Sequence, residues 1–437
     1  MNIILLSGGS GKRLWPLSND IRSKQFLKLF HNKQGEYESM VQRMYGALSE
    51  MDEENSITVA TSENQVSATY NQLHNKVDIS LEPCRRDTFP AIALATAYLH
   101  DIKGISEQEV VVVCPVDPYV DDAYFQAIKK LNHIVESSTA NLVLMGMEPT
   151  YPSEKYGYII PKIKGEISEV AEFKEKPDVE AAKEYISRGA LWNGGVFGYK
   201  LGYLLEKAKL QFGTCQYKEL YQKYESLNKI SFDYAVVEKE TSLEVLRFAG
   251  KWKDLGTWNT LTEAMEEPYI GNVRADNLCE NLHVVNELDI PILCMGLKDM
   301  IVSASPDGIL VSDKEQSSYI KPYVDEIKQD VRYEEKSWGK FQILDIEEKG
   351  LTIKVVLMPG HQMNYHSHNY REEVWTVLQG IGYTIIDGKK RKIQAGDVVR
   401  LPIRSKHTVM AETELHLIEL QLGSSIRNED KEIFTIE

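Results

Sequence analysis

The stretch Met1–Phe26, MNIILLSGGSGKRLWPLSNDIRSKQF, opens the chain and decides how the rest is read. Asn2 to Leu6 is a short apolar run rich in Ile and Leu, which reads as a buried strand. Ser7, Gly8, Gly9, Ser10 and Gly11 follow at once. Glycines after a strand let the backbone turn tightly and bring several N–H groups against one ligand. Lys12, Arg13 and Lys24 add three cations. Backbone donors with fixed positive charge make a cradle for a polyphosphate. The stretch is not a Walker A loop, because Arg13 stands where that pattern has its second Gly. Nor is it a dinucleotide fingerprint, because Leu14 replaces the third Gly. A glycine-rich turn beside an exposed basic patch would carry the same residues.

At 437 residues the chain is too long for one ordinary core, and two or three domains are expected. Hydrophobic residues at 43% and charged residues at 26% match a soluble globular protein. The net charge of −15 argues against a nucleic-acid or anionic-membrane partner, so the N-terminal cations form a local site. Met1 leads straight into the first strand with no basic leader, and no apolar run reaches the length of a membrane span. Cys84, Cys114, Cys215, Cys279 and Cys294 are scattered and odd in number, which fits reduced thiols in the cytosol.

Glu38 to Met51 reads as a helix with Met40, Val41, Met44 and Leu48 on one face. Ile57–Ala60, Val110–Cys114 and Asn141–Met147 read as strands, and Ala91–Leu99 as a helix with Pro90 in its first turn. Strands alternating with helices predict an α/β domain over 1–264 with a doubly wound, mostly parallel, Rossmann-like sheet. Ligands of such sheets sit beyond the carboxyl ends of the strands, where the Gly loop and Asp117 lie. From 265 to 331 short strand-like pieces with Asn, Asp and Gly corners suggest a small β module, and Ser312–Val331 reads as a polar, helical boundary. From 332 to 437 short strands alternate with Gly and Pro turns, the pattern of an all-β barrel.

Two lone acids, Asp117 in VVVVCPVDPYV and Asp254 in KWKDLGTW, follow strand-like runs. Converging carboxylates can hold Mg²⁺ against a triphosphate, though turn acids beside Pro or Gly are more often simply solvated. In the barrel, His366, His368 and Glu373 form H-x-H-x₄-E between two glycines, and Gly396 opens a segment that delivers His407. Alternate strand residues face one way, and three imidazoles with one carboxylate suit Zn²⁺, Mn²⁺, Fe²⁺ or Ni²⁺.

GGSGKRLWPLS followed by KQFLKL closely resembles the signature of the mannose-1-phosphate guanylyltransferases, in the sugar-phosphate nucleotidyltransferase family. The resemblance implies that Gly8, Gly9, Gly11 and Lys12 hold the nucleotide phosphates and that Arg13 and Lys24 contact the reacting ones. It implies Mg²⁺ on Asp117 and Asp254, from the family's PxD and D-x-G-x-W segments. Tyr156-Gly157-Tyr158, FKEKP at 173–177 and Trp192-Asn193-Gly194-Gly195 resemble its sugar-phosphate segments, which assigns Gly157, Glu175, Lys176 and Asn193. Glu82 to Thr88, with Glu82 and Arg86, corresponds to its base-recognition segment, with Asp87 in place of the usual Asn. Ser23 replaces a usual Pro and removes a fixed φ, which predicts a looser loop. The family's β-helical connector matches 265–331. The two barrel segments resemble both cupin motifs, with Arg404 where the second usually has Gly, and the tail as a whole resembles a type II phosphomannose isomerase domain. There His366 replaces Gln, GSSIRNED with Arg427 is shortened, and KEIFTIE replaces the terminal Y-G-R. These departures leave a metal site and speak against isomerase activity.

The expected function is transfer of a nucleotidyl group from GTP to mannose 1-phosphate by a cytoplasmic homodimer. The alternatives are a bifunctional chain with an isomerase barrel, a transferase for another sugar 1-phosphate or NTP, and a sugar-nucleotide-binding protein with a regulatory cupin.

Overall fold

The structure is a computed structural model and describes residues 1–9, 11–52, 54–74, 77–426 and 430–435. The chain divides into two compact units, one of Met1–Gly11, Ser23–Val66 and Lys76–Glu266, the other of Lys12–Arg22, Ser67–Asn75 and Glu267–Glu437. No helix among the described residues is long and apolar enough to cross a membrane.

The first unit is built on a nine-stranded sheet. Asn2–Leu6 lies between Ser56–Ser62 and Val110–Pro115, with Asp78–Glu82 outside Ser56–Ser62, all parallel. Ile3, Ile4, Leu5, Val111, Val112 and Val113 are fully buried, as continuous apolar runs require when helices cover both faces. Beyond this half the sheet is mixed. Leu191–Lys200 inserts antiparallel between Val110–Pro115 and Leu142–Met147. Leu243–Phe248 is parallel to Leu142–Met147, and Ile167–Lys174 and Tyr158–Pro161 finish the sheet antiparallel. The helix read from Glu38 begins at Met40, because Tyr37–Ser39 pairs with Lys28–His31. Ser39 caps it, with Gln42 completing a capping box. Thr88–Asp101 is buried along most of its length and is capped by Asp87 at φ 71°.

A two-stranded ribbon lies outside the main sheet. Pro118–Val120 runs antiparallel to Trp252–Asp254, with Asp254 opposite Pro118. It draws the neighbourhoods of Asp117 and Asp254 together.

In the second unit, Tyr269–Ile270, His283–Asn286 and Met300–Ser305 stack in parallel, as do Val273–Ala275 and Ile292–Cys294. Asn286 donates its amide to the Asn272 and Ile290 carbonyls, satisfying corners that these short coils leave open. This is the β-helical module. A 3₁₀ turn, Gln316–Tyr319, and a short helix, Lys321–Glu326, follow. The barrel closes from a six-stranded and a five-stranded antiparallel sheet over Trp375, Leu357, Ile393, Val409, Leu415 and Leu417.

Candidate active site and metal centre

The Gly loop is tied down from below. Ser23 Oγ donates to the Gly9 carbonyl at 2.6 Å, and Gln65 Nε2 donates to the same oxygen at 3.1 Å. Gln25 Nε2 donates to the Ser7 carbonyl at 3.0 Å, and Arg85 reaches Gly9 O at 3.4 Å. Ser23 holds φ −74°, the value proline would impose. Its hydroxyl bond replaces the restraint that the missing ring removes, so the loop is anchored and not loosened.

Lys24 leaves this loop in the 3₁₀ turn Lys24–Phe26. Its Nζ lies 2.7 Å from Asp117 Oδ2 and 3.4 Å from Asp254 Oδ1. Burial alone would lower the ammonium's pKa, but the two carboxylates outweigh it and raise it. The ribbon thus makes one site of two acids 137 residues apart (254 − 117). Hard carboxylate oxygens already gathered around a cation fit Mg²⁺.

Asp117 and Asp254 border a cleft of ≈ 250 Å³ that also contains Gly157, Glu175, Lys176 and Asn193. All four residues read as sugar-phosphate contacts therefore share one cavity with both acids. A Cβ on Gly157 would come within 2.5 Å of Glu175 Oε2 and 2.9 Å of the Phe173 ring, so only glycine leaves Glu175 in place. Lys176, at φ 45°, pairs with Glu175 at 2.6 Å. Tyr156, Trp192 and Trp252 cluster with ring centroids 4.9 to 6.4 Å apart, and Tyr156 and Trp252 line the cleft. Trp252 and Asp233 also line it and were not singled out from sequence.

Of the residues that the resemblance assigns to base recognition, Glu82 is buried and accepts from the Tyr224 hydroxyl at 2.8 Å. Burial pushes its carboxyl up to about 7, against the lowering effect of the Tyr224 hydrogen bond and Arg85. Arg86 donates to the Tyr224 and Glu225 carbonyls. Gly8 stands 3.6 Å, by its missing Cβ, from Glu82 Oε1, and Gly11 turns at φ 57°. Lys12 pairs with Asp20 at 3.3 Å and Asp325 at 3.1 Å, while Arg13 is exposed.

In the barrel, His366, His368, Glu373 and His407 bring one donor atom each within 4.8 Å of one another, all buried. His366 and His368 lie on the strand His366–His368, and His407 begins the strand beside it. His366 Nδ1 meets the Asn364 carbonyl at 2.6 Å and His407 Nδ1 the Ser405 carbonyl at 2.9 Å, which turns each Nε2 inward. Burial, then Lys431 and His407, lowers His366 to about 2, so its imidazole is neutral. Burial would raise Glu373, but the ring nitrogens of His368 at 3.0 Å and His407 at 3.4 Å hold it well below the usual carboxylate range. His368 Nδ1 is buried without a hydrogen-bond partner among the described residues, and His407 Nε2 has only a 3.4 Å contact with Glu373 Oε2. Ring nitrogens so placed beside a carboxylate fit a transition-metal ion.

The tail read as truncated comes back to this cluster. Asp430 accepts from the Asn369 and Tyr370 amides at 2.9 and 3.1 Å. Lys431–Ile433 then pairs with His366–His368, placing Lys431 opposite His368. Arg427 lies outside the described residues.

A fold and a cleft of this kind define a nucleotidyl-transferring class, and the comparisons agree. Residues 2–268 match the nucleotidyl transferase family model, and residues 325–436 match the model for the mannose-6-phosphate isomerase C-terminal region. The chain belongs to the nucleotidyl transferase family. It is 29% identical to a mannose-1-phosphate guanylyltransferase of Escherichia coli, over 98% of this chain and 96% of that one. It is 30% identical to the xanthan biosynthesis protein XanB of Xanthomonas campestris pv. campestris, with the same coverage. A solved structure, a mannose-1-phosphate geranyltransferase from Thermus thermophilus, matches 74% of this chain and 98% of its own at TM-score 0.63 and 28% identity.

Proposed function

We propose that the chain transfers a guanylyl group from GTP to mannose 1-phosphate, releasing pyrophosphate. The observation that carries this is the single cleft in which Asp117 and Asp254, bridged by Lys24, meet the sugar-side residues Gly157, Glu175, Lys176 and Asn193. An oxygen of the sugar phosphate attacks the α-phosphorus, and the bond from that phosphorus to the pyrophosphate oxygen breaks. No protein nucleophile is needed. The chain contributes positioning and charge. Lys24, held protonated by its two acids, presents positive charge to the reacting phosphates. Arg13 does the same by the resemblance of its motif. Lys176 takes the sugar phosphate, and the tethered Gly loop offers its N–H groups to the nucleotide. Asp117 and Asp254 would hold Mg²⁺, which when bound supplies charge neutralisation on the triphosphate. The test is a pyrophosphate-release screen of the four NTPs against a panel of sugar 1-phosphates. GTP with mannose 1-phosphate should give the highest kcat/KM, and a different best pair would replace this assignment.

The returning tail favours a second reading, in which the barrel also interconverts mannose 6-phosphate and fructose 6-phosphate. Isomerisation needs a cation for the substrate phosphate, and Lys431 stands beside the His cluster. His366, His368, Glu373 and His407 would hold Zn²⁺ or another divalent transition metal, which polarises a carbonyl when bound. Fructose 6-phosphate turnover that vanishes in Lys431→Ala supports this reading. Absence of turnover with Zn²⁺, Mn²⁺, Co²⁺ and Ni²⁺ each supplied removes it.

A further inference from the structure

Asp233 lies in the short helix Phe232–Ala235 and lines the sugar side of the cleft. Its Oδ1 accepts from Asn193 Nδ2 at 2.6 Å. Asn193 is itself oriented, because its Oδ1 accepts from the Gly195 amide at 3.1 Å and its own backbone amide donates to the Gly157 carbonyl at 2.8 Å. The carboxyl is therefore aimed by a residue anchored at two further points, its side-chain oxygen and its backbone amide. Its acidic neighbour Glu175 is bonded by the ammonium of Lys176, whereas the hydrogen-bond partner of Asp233 is a neutral amide.

A sugar 1-phosphate has an anionic end and a polyol end. Lys24 and Lys176 suit the first. A carboxylate without a bonded cation repels phosphate and is best satisfied by hydroxyl donors, since a charged acceptor left dry in a cleft is costly. The ring wall of Tyr156 and Trp252 offers an apolar surface to the sugar's C–H face in the same cavity.

We propose that Asp233 is a specificity-determining residue that accepts a hydrogen bond from one pyranose hydroxyl, with Asn193 as its positioning residue. The proposal rests on the nucleotidyl-transfer reading for the identity of its ligand. It accounts for selection among sugars that share the 1-phosphate, because a site built to pair a hydroxyl discriminates strongly against an analogue lacking it.

The test is calorimetric binding of mannose 1-phosphate and each of its monodeoxy analogues to the full chain, with Asp233→Ala and Asp233→Asn beside it. In the unsubstituted chain one analogue should bind about tenfold or more weakly than the parent. In Asp233→Ala that particular difference should collapse while the other deoxy penalties stay, the signature of a direct pair in a double-mutant cycle. Asp233→Asn should show the same selective collapse, and it keeps side-chain volume should the alanine variant misfold. Deoxy penalties unchanged in either folded variant, or lowered uniformly, would overturn the assignment. Binding is read without turnover, so a chain that binds mannose 1-phosphate yet never releases pyrophosphate refutes nucleotidyl transfer alone. A chain that binds no sugar 1-phosphate refutes both.

Discussion

The cleft of the first unit and the cluster in the barrel both gather acids and bases, but they hold them differently. Asp117 and Asp254 keep about a third of their side-chain surface exposed, and a lysine ammonium occupies the space between them. His368, Glu373 and His407 each keep 2%, the His366 and His407 rings stand 4.4 Å apart, and the cation Arg371 lies at the cluster's edge, 3.4 Å from Glu373 and 3.2 Å from His368. The first arrangement suits a cation that arrives with its substrate, because Lys24 balances the acids until then and open carboxylates exchange readily with water. The second suits a resident ion. Two of its imidazoles, His366 and His407, are fixed by backbone carbonyls, and His368 Nδ1 is left without a hydrogen-bond partner among the described residues. The two sites thus differ in kind, one a charge-balanced cleft partly open to solvent, the other a dry, buried donor cluster.

The sharpest way to break this contrast is at the cleft. Asp117→Ala removes one of the two acids and unbalances Lys24, and pyrophosphate release should fall on the order of 10²-fold or more. Steady-state kinetics check this, and a loss below about threefold would mean that Asp117 is a solvated turn acid. At the barrel, metal analysis of the His366→Ala, His368→Ala double variant should show the transition metal gone while nucleotidyl transfer persists. Full metal occupancy in that variant would refute the ligand set.

A smaller effect is expected from Glu82. Its carboxyl is raised from about 4.5 to about 7 by burial. Between those values the folded chain binds more protons than the unfolded one, so stability falls as pH rises through the window and stays lowered above it. The slope is at most about 1.4 kcal/mol per pH unit. Glu82→Gln should flatten that slope in melting curves between pH 5 and 8, and an unchanged slope would contradict the buried, proton-holding acid. The smallest effect belongs to Ser23→Pro. The backbone already holds φ −74°, so the ring should fit and partly offset the lost Oγ bonds to Gly9 and Gln65, leaving a net loss of about 1–2 kcal/mol in denaturant unfolding.

What was legible in the sequence followed from how locally each piece is encoded. FKEKP, WNGG and H-x-H-x₄-E compress donors and their spacing into a few residues, and those residues fall in one cleft and one buried cluster. Asp233 was missed because its signal is a hydrogen bond to a residue 40 positions away. The ties of Gln65 and Ser23 to Gly9 likewise exist only after the sheet has formed. The mixed half of the sheet was invisible because an apolar run states that a strand is buried and not which way it points. KEIFTIE read as a missing motif, but strand pairing delivers Lys431 to the cluster with no consensus residue to announce it.

Metal-supported nucleotidyl transfer is the reaction proposed for the first-unit cleft. It is tested most directly by following pyrophosphate release from GTP and mannose 1-phosphate with the full chain, in Mg²⁺ and again in EDTA. The account predicts steady release in Mg²⁺ that stops with EDTA and returns when Mg²⁺ is restored. Release that continues undiminished in EDTA, or none with Mg²⁺ present, would contradict it.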